Sequence, residues 1–172
     1  MLLDSPGKTI RLYVATPGNE MWKNSPNHSF SDDMSIGFHP HHCDLKIVVL
    51  HGALFHWLVT EVPGNNIKRF KYDSKIKTGK IKFISDGTTS LTTDKAGFHK
   101  EGDVIHLAAA SIHTVCCSVN QVTAWMVFEG KSDPNYKPVC YSNHDLTKAD
   151  FSELYQPMTK ELILATIARV DL

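Results

Sequence analysis

From Thr9 to Phe128 the chain is a succession of short polar–apolar alternations closed by glycine, proline or Asp-Gly, with no helical period in between. An alternation of period two buries one face of an extended strand and leaves the other to water. Thr9–Ala15 has this pattern and ends at Pro17-Gly18; the polar stretch from Asn24 to Asp33 then reads as loop. Leu45–Leu50, a turn at Gly52 and Leu54–Val59 form a hairpin pattern, and Pro63-Gly64-Asn65-Asn66 is a strong turn signal. Lys80–Ile84 follows, bounded by Gly79 and Asp86-Gly87; Gly102-Asp103 opens another strand, and Thr114–Val119 and Val122–Phe128 supply two more. Short strands at a spacing of roughly eight to twelve residues predict an all-β sandwich or small barrel.

The pattern changes after Pro138. Thr147-Lys148-Ala149-Asp150 reads as a helix N-cap segment, with Phe151, Leu154 and Tyr155 at helical spacing before Pro157 interrupts. Thr159 then starts a second helix carrying Leu162, Ile163, Thr166, Ile167 and Val170. The 172 residues have room for one domain: a β-barrel over about 9–130 and a helical tail over 145–172, packed on the barrel or at a dimer contact.

Charge narrows the partners. Eighteen Lys and Arg balance eighteen Asp and Glu, so the net charge is +0, which argues against nucleic acid or an anionic membrane as the main partner. The basic segment Lys68-Arg69-Phe70-Lys71 and Lys75–Lys82 reads as a solvated sheet face. The N-terminus lacks the pattern of a secretory signal, and the apolar run Ile47–Leu50 is far too short to cross a bilayer. Cys43, Cys116, Cys117 and Cys140 show no CxxC spacing, so reduced thiols in a cytoplasmic protein are expected.

Ten residues are histidine, and five of them fall between residues 39 and 56. Extended as a strand, His39-Pro40-His41-His42-Cys43-Asp44-Leu45 places His39, His41, Cys43, Leu45, Ile47 and Val49 on one face. His42, Asp44 and Lys46 lie on the other. Two imidazoles on one face can reach one metal ion, with a third ligand from elsewhere; imidazole suits iron, zinc, copper or nickel.

Here the chain resembles the cupin superfamily, whose first motif is G-x5-H-x-H-x3/4-E-x6-G and whose second is G-x5-P-x-G-x2-H-x3-N. The first falls on His39, His41 and Gly52, with its Glu at Leu45 and its leading Gly at Asp33. The second starts at Gly102 and places its Pro at Ala108, its Gly at Ala110, its His at His113 and its Asn at Cys117. The resemblance covers about 40–130 and implies a cupin-like double-sheet β-barrel, or jelly roll. It further implies one divalent metal, Fe(II) first and Zn, Ni or Mn as alternatives, held by His39, His41 and His113. With the family glutamate replaced by Leu45, the site resembles the three-His centre of thiol dioxygenases and of some dioxygenases of diketones or aromatic acids. Arg11 would clamp a substrate carboxylate, as the upstream Arg of thiol dioxygenases does. His113 is followed by Thr114-Val115 rather than Leu-Tyr, which sets the chain apart from cysteine dioxygenases.

The resemblance implies a metal-dependent cupin, a mononuclear non-haem iron oxygenase of a small anionic, metal-chelating substrate, and a homodimeric, cytoplasmic protein is expected. A cupin that binds a ligand or protein without turnover, and a non-redox isomerase or lyase, are the alternatives. Cys43, Leu45, His51, His106 and Trp125 are further candidates for the substrate cavity; buried core roles are the plainer expectation for Cys43 and Trp125. His51, His56 and His106 are intermediate cases, and His28, His99 and His144 need no function. A rival constellation is a 2-His-1-carboxylate site of His42, Asp44 and His113. The barrel register opposes it by turning His42 and Asp44 outward, and no Arg or Lys follows within Gln121–Trp125.

Overall fold

The computed structural model describes residues 2–5, 8–15, 37–72, 82–117, 121–148, 159–168 and 170. Several sequence expectations fall outside them: the Pro17-Gly18 turn, the Asn24–Asp33 loop, His28, Lys75 to Lys80, and the first helix with Phe151, Leu154, Tyr155 and Pro157.

The strands are β1 (Leu2–Ser5), β2 (Lys8–Ala15), β3 (Cys43–His51), β4 (Ala53–Tyr72), β5 (Phe83–Lys100), β6 (Val104–Leu107), β7 (Ile112–Cys117), β8 (Thr123–Ser132) and β9 (Val139–Ser142). One antiparallel sheet has the order β1-β2-β8-β3-β6, the other β5-β4-β7, with β9 paired to the far half of β4. The inward residues are those of the period-two reading. Cys43, Leu45, Ile47 and Val49 of β3 meet Trp125 and Val127 of β8, Ile105 and Leu107 of β6, and Leu54 and Cys117 from the opposite sheet. Removing each such aliphatic side chain from water contributes about 1.5–3 kcal/mol. This shared core is what faces the two sheets toward one another.

Two expectations change. Pro63–Asn66 does not end a strand: Val62 pairs with Ser90 and Ile67 with Thr89, and the four residues between loop out of β4, all exposed. Proline lacks the amide a ladder needs, so it is expelled from the pairing rather than reversing it. Asp86-Gly87 likewise forms a bulge, where Lys68 pairs with Thr88 and Phe70 with Ser85, and Gly87 takes a φ of 92°. The Asp86 carboxylate receives Arg69 (2.7 Å) and Lys71, and Glu61 also faces Arg69. Part of the basic segment is thus neutralised locally. The result is a long hairpin of 20 and 18 residues rather than several short strands.

The C-terminal helix α1 (Lys160–Ile167) starts as expected, with Thr159 accepting from the Leu162 amide. Ile163, Thr166 and Ile167 are half-buried, and Val170, just beyond the helix, is buried. None of the helix residues is buried, and Leu162 and Leu164 are 53% and 56% exposed. Its apolar residues run Leu162-Ile163-Leu164-Ala165 around the helix instead of along one stripe. Leu146–Lys148 form a short 3₁₀ turn in which the Asp145 carboxylate accepts the Thr147 amide at 3.1 Å; the helix expected to follow lies outside the described residues.

Candidate metal centre

The segment bearing His39 and His41 precedes β3 and is not a regular strand, contrary to the simple extension of the period-two pattern. It is held instead by its carbonyls. His39 O accepts from the His113 amide (3.2 Å), His41 O from the Ala110 amide (3.0 Å) and His42 O from the Asp133 amide (2.6 Å). Pro40 O accepts from the Tyr136 hydroxyl at 3.0 Å. The His39 amide in turn donates to His113 O at 3.0 Å, so the two ligand candidates face each other across an antiparallel bridge. Four consecutive anchored carbonyls give an irregular segment the rigidity a binding site requires.

The motif glycines explain why the chain turns where it does. Gly52, between β3 and β4, has a φ of 73°, and a Cβ there would stand 2.5 Å from Val122 O. Gly102 has a φ of 86°. At the last motif glycine position the chain carries Ala110 with a φ of 64°, the one non-glycine residue in the left-handed region among those described. Its amide is the one that pins His41.

The imidazoles converge. Ring centroids are 4.9 Å apart for His39 and His41, 5.0 Å for His41 and His113, and 5.5 Å for His39 and His113. One nitrogen from each lies within 4.8 Å of the other two. Burial, and then the neighbouring His39, push the His41 ring down to about 3. The same causes hold His113 well below the usual histidine range. Neutral imidazole is the ligating form, so this environment prepares the rings for a metal. His113 is 4% exposed, and its Nε2 is buried without a hydrogen-bond partner. A buried polar nitrogen left without a partner costs about 1–3 kcal/mol unless something else takes its lone pair. The donor set therefore fits a divalent transition ion. Outer contacts are present too: His39 Nδ1 lies 3.2 Å from Gly37 O, and His113 Nδ1 lies 3.2 Å from His56 Nε2.

Other candidates are placed differently. Arg11 does lie on the inward side of β2, paired in register with Val127, and its charge contributes to lowering His41. It is joined to Glu129 at 2.6 Å. Leu45, at the family glutamate position, is a core residue opposite Glu129 on β8. The carboxylate facing that position is thus held by Arg11. Cys43 is 1% exposed, and burial pushes its thiol up to about 11, an inert core role. With His42 and Glu129 it makes a second group of close donor atoms. Trp125 is buried and stacks on Tyr13 at 5.2 Å.

His51 and His106 do not join the three-His group. A register shift after Val49 carries His51 to the surface beside Glu101, at 3.5 Å. His106 alternates outward between buried Ile105 and Leu107. In the rival constellation Asp44 is exposed and accepts the Ala109 amide at 2.8 Å, and it does not join His113. His56 is the residue that sequence reasoning left unplaced. Leu54, His56 and Leu58 share one face of β4, and Leu58 pairs with His113, so the period itself put His56 beside a ligand.

No family model and no curated protein sequence matches the chain. Solved structures do resemble it. A cupin superfamily protein from Desulfitobacterium hafniense is 14% identical over 76% of this chain and 75% of its own, with a TM-score of 0.38. A cupin-2 domain protein from Shewanella frigidimarina is 9% identical over 75% and 76%, with a TM-score of 0.37. Hydroquinone 1,2-dioxygenase from a Sphingomonas species is 11% identical over 75% of this chain and 64% of its own, with a TM-score of 0.38. The chain's own topology is what describes the fold: two facing antiparallel sheets, with left-handed turns at Gly52, Gly102 and Ala110, are consistent with a cupin-like jelly roll.

Proposed function

We propose that the protein is a mononuclear non-haem iron oxygenase acting on a small anionic substrate that chelates the metal. The observation that carries this reading is the convergence of three imidazoles, one ending in a buried and unpartnered Nε2, with an apolar Leu45 where the resemblance would place a carboxylate. His39, His41 and His113 would hold the ion, and Fe(II) when bound would supply a centre that brings substrate and O₂ together. Ligands without charge leave a divalent ion at its full +2, which favours an anionic donor from the substrate. Arg11 adds positive charge near His41, and a substrate carboxylate would compete with Glu129 for its guanidinium. Leu45, Val127 and Trp125 belong to one buried apolar cluster between the sheets. The four thiols are buried and unbridged, which fits a cytoplasmic setting, and exposed Leu162 and Leu164 fit a contact with a second copy. No helix among the described residues is long and apolar enough to cross a membrane.

Metal analysis combined with oxygen uptake tests the proposal. One iron per chain and O₂ consumption that depends on added substrate are expected. A redox-inert ion with turnover but no O₂ uptake would point to an isomerase or lyase, and a bound metal with ligand binding but no turnover would point to a binding protein. Either result overturns the oxygenase assignment.

A further inference from the structure

His113 has two ring nitrogens in contrasting surroundings. Nε2 is buried with no partner, while Nδ1 lies 3.2 Å from Nε2 of His56. His56 is 4% exposed and sits on β4, which pairs with β7 so that His56 opposes Val115 and Leu58 opposes His113. The two rings are therefore diagonal neighbours on the inner face of one sheet, locked by backbone pairing and not by a mobile loop. Two neutral imidazoles that share one hydrogen bond have two arrangements. If His56 donates, His113 must carry its proton on Nε2, a buried N–H with no acceptor among the described residues. If His113 donates from Nδ1, its Nε2 keeps a lone pair free for a ligand, and His56 carries its own proton on Nδ1.

We infer that His56 is a positioning residue that accepts the Nδ1 proton of His113 and thereby fixes the tautomer and ring angle in which Nε2 can ligate a metal. The inference rests on the three-His centre proposed above. An acceptor of this kind is ordinarily a carboxylate or a backbone carbonyl. Gly37 O does that for His39, whereas His113 has a neutral imidazole. Neither the ligands nor these two outer partners bring negative charge to the site, so His56 orients the ligand without reducing the centre's attraction for an anionic substrate.

Zinc(II) affinity, measured by competition with a chromophoric chelator, tests this with wild type, His56→Gln and His56→Leu. Imidazole ¹⁵N shifts, recorded without metal and with zinc, report the tautomers. Gln keeps an acceptor for the His113 proton and should stay within about threefold of wild type; Leu removes it and should weaken binding roughly 10- to 100-fold. The wild-type spectra should show His113 and His56 both protonated at Nδ1. Equal zinc affinity in all three proteins, or His113 protonated at Nε2 in both states, overturns the inference. A wild type that binds zinc with an unaffected Leu variant removes only the role of His56. A wild type that binds no metal removes the three-His centre as well. Should the Leu variant fail to fold, the tautomer spectra of the wild type still decide.

Discussion

Replacing Ala110 by glycine should make the protein more stable, which is the reverse of the usual effect of adding a glycine. Ala110 holds a φ of 64°, where an L-residue's Cβ crowds the following carbonyl at a cost of about 1–2 kcal/mol. The residue is exposed, so its methyl group contributes little packing to set against that strain. Glycine relieves the strain and loses about 0.5–1 kcal/mol in backbone entropy, leaving a net gain of roughly 0.5–1 kcal/mol. For a chain of 172 residues that is a rise of about 1–4 °C in Tm. The Ala110 amide would still donate to His41 O, so metal affinity should be unchanged or slightly improved. Gly52→Ala supplies the opposite sign: its φ of 73° is coupled to a Cβ position 2.5 Å from Val122 O, and a loss of more than about 2 kcal/mol is expected. Urea unfolding of both variants at neutral pH measures the two values. A destabilised Ala110→Gly would refute the left-handed turn, and with it the register that brings the second motif to His113.

Acid should destabilise the metal-free protein through His56, which burial and then His99 push down to about 4 from 6.5. Its folded pKa lies below the unfolded one, so protons favour the unfolded chain; the loss begins below about pH 6.5, is complete near pH 4 and amounts to roughly 3 kcal/mol. Urea midpoints in wild type and His56→Gln read this, and identical pH slopes would contradict it. Asp44→Ala should cost no more than about 1 kcal/mol for the released Ala109 amide, with metal stoichiometry unchanged by elemental analysis. A lost metal there would revive the His42, Asp44 and His113 constellation. Tyr136→Phe removes the donor to Pro40 O, and should loosen the ligand segment by about 1 kcal/mol, or about fivefold in zinc affinity measured by competition.

The sequence made the inner sheet faces and the three histidines legible because both depend on short spacings: period two along β3, and the fixed distances between motif glycines and imidazoles. Strand β5 was illegible for a physical reason. Most of Phe83–Lys100 is exposed, so no apolar alternation marks it, and pairing with β4 rather than burial makes it a strand. Strand β9 hides for the opposite reason, since all four of its residues are buried and no face is polar. His51 misled because parity holds only within an unbroken ladder, and a bulge after Val49 resets it. The pairing of Arg11 with Glu129 joins residues 118 positions apart and required β2 and β8 to be neighbours first.

The central claim is that His39, His41 and His113 together hold one metal ion, and titration of the metal-free protein with cobalt(II) tests it most directly. One equivalent should bind wild type, with ligand-field bands that report nitrogen donors. His39→Ala, His41→Ala and His113→Ala should each weaken binding more than about 100-fold while His106→Ala, on the outer face of β6, binds as wild type does. Binding that survives all three substitutions, or a wild type that takes up no cobalt at all, would contradict the account.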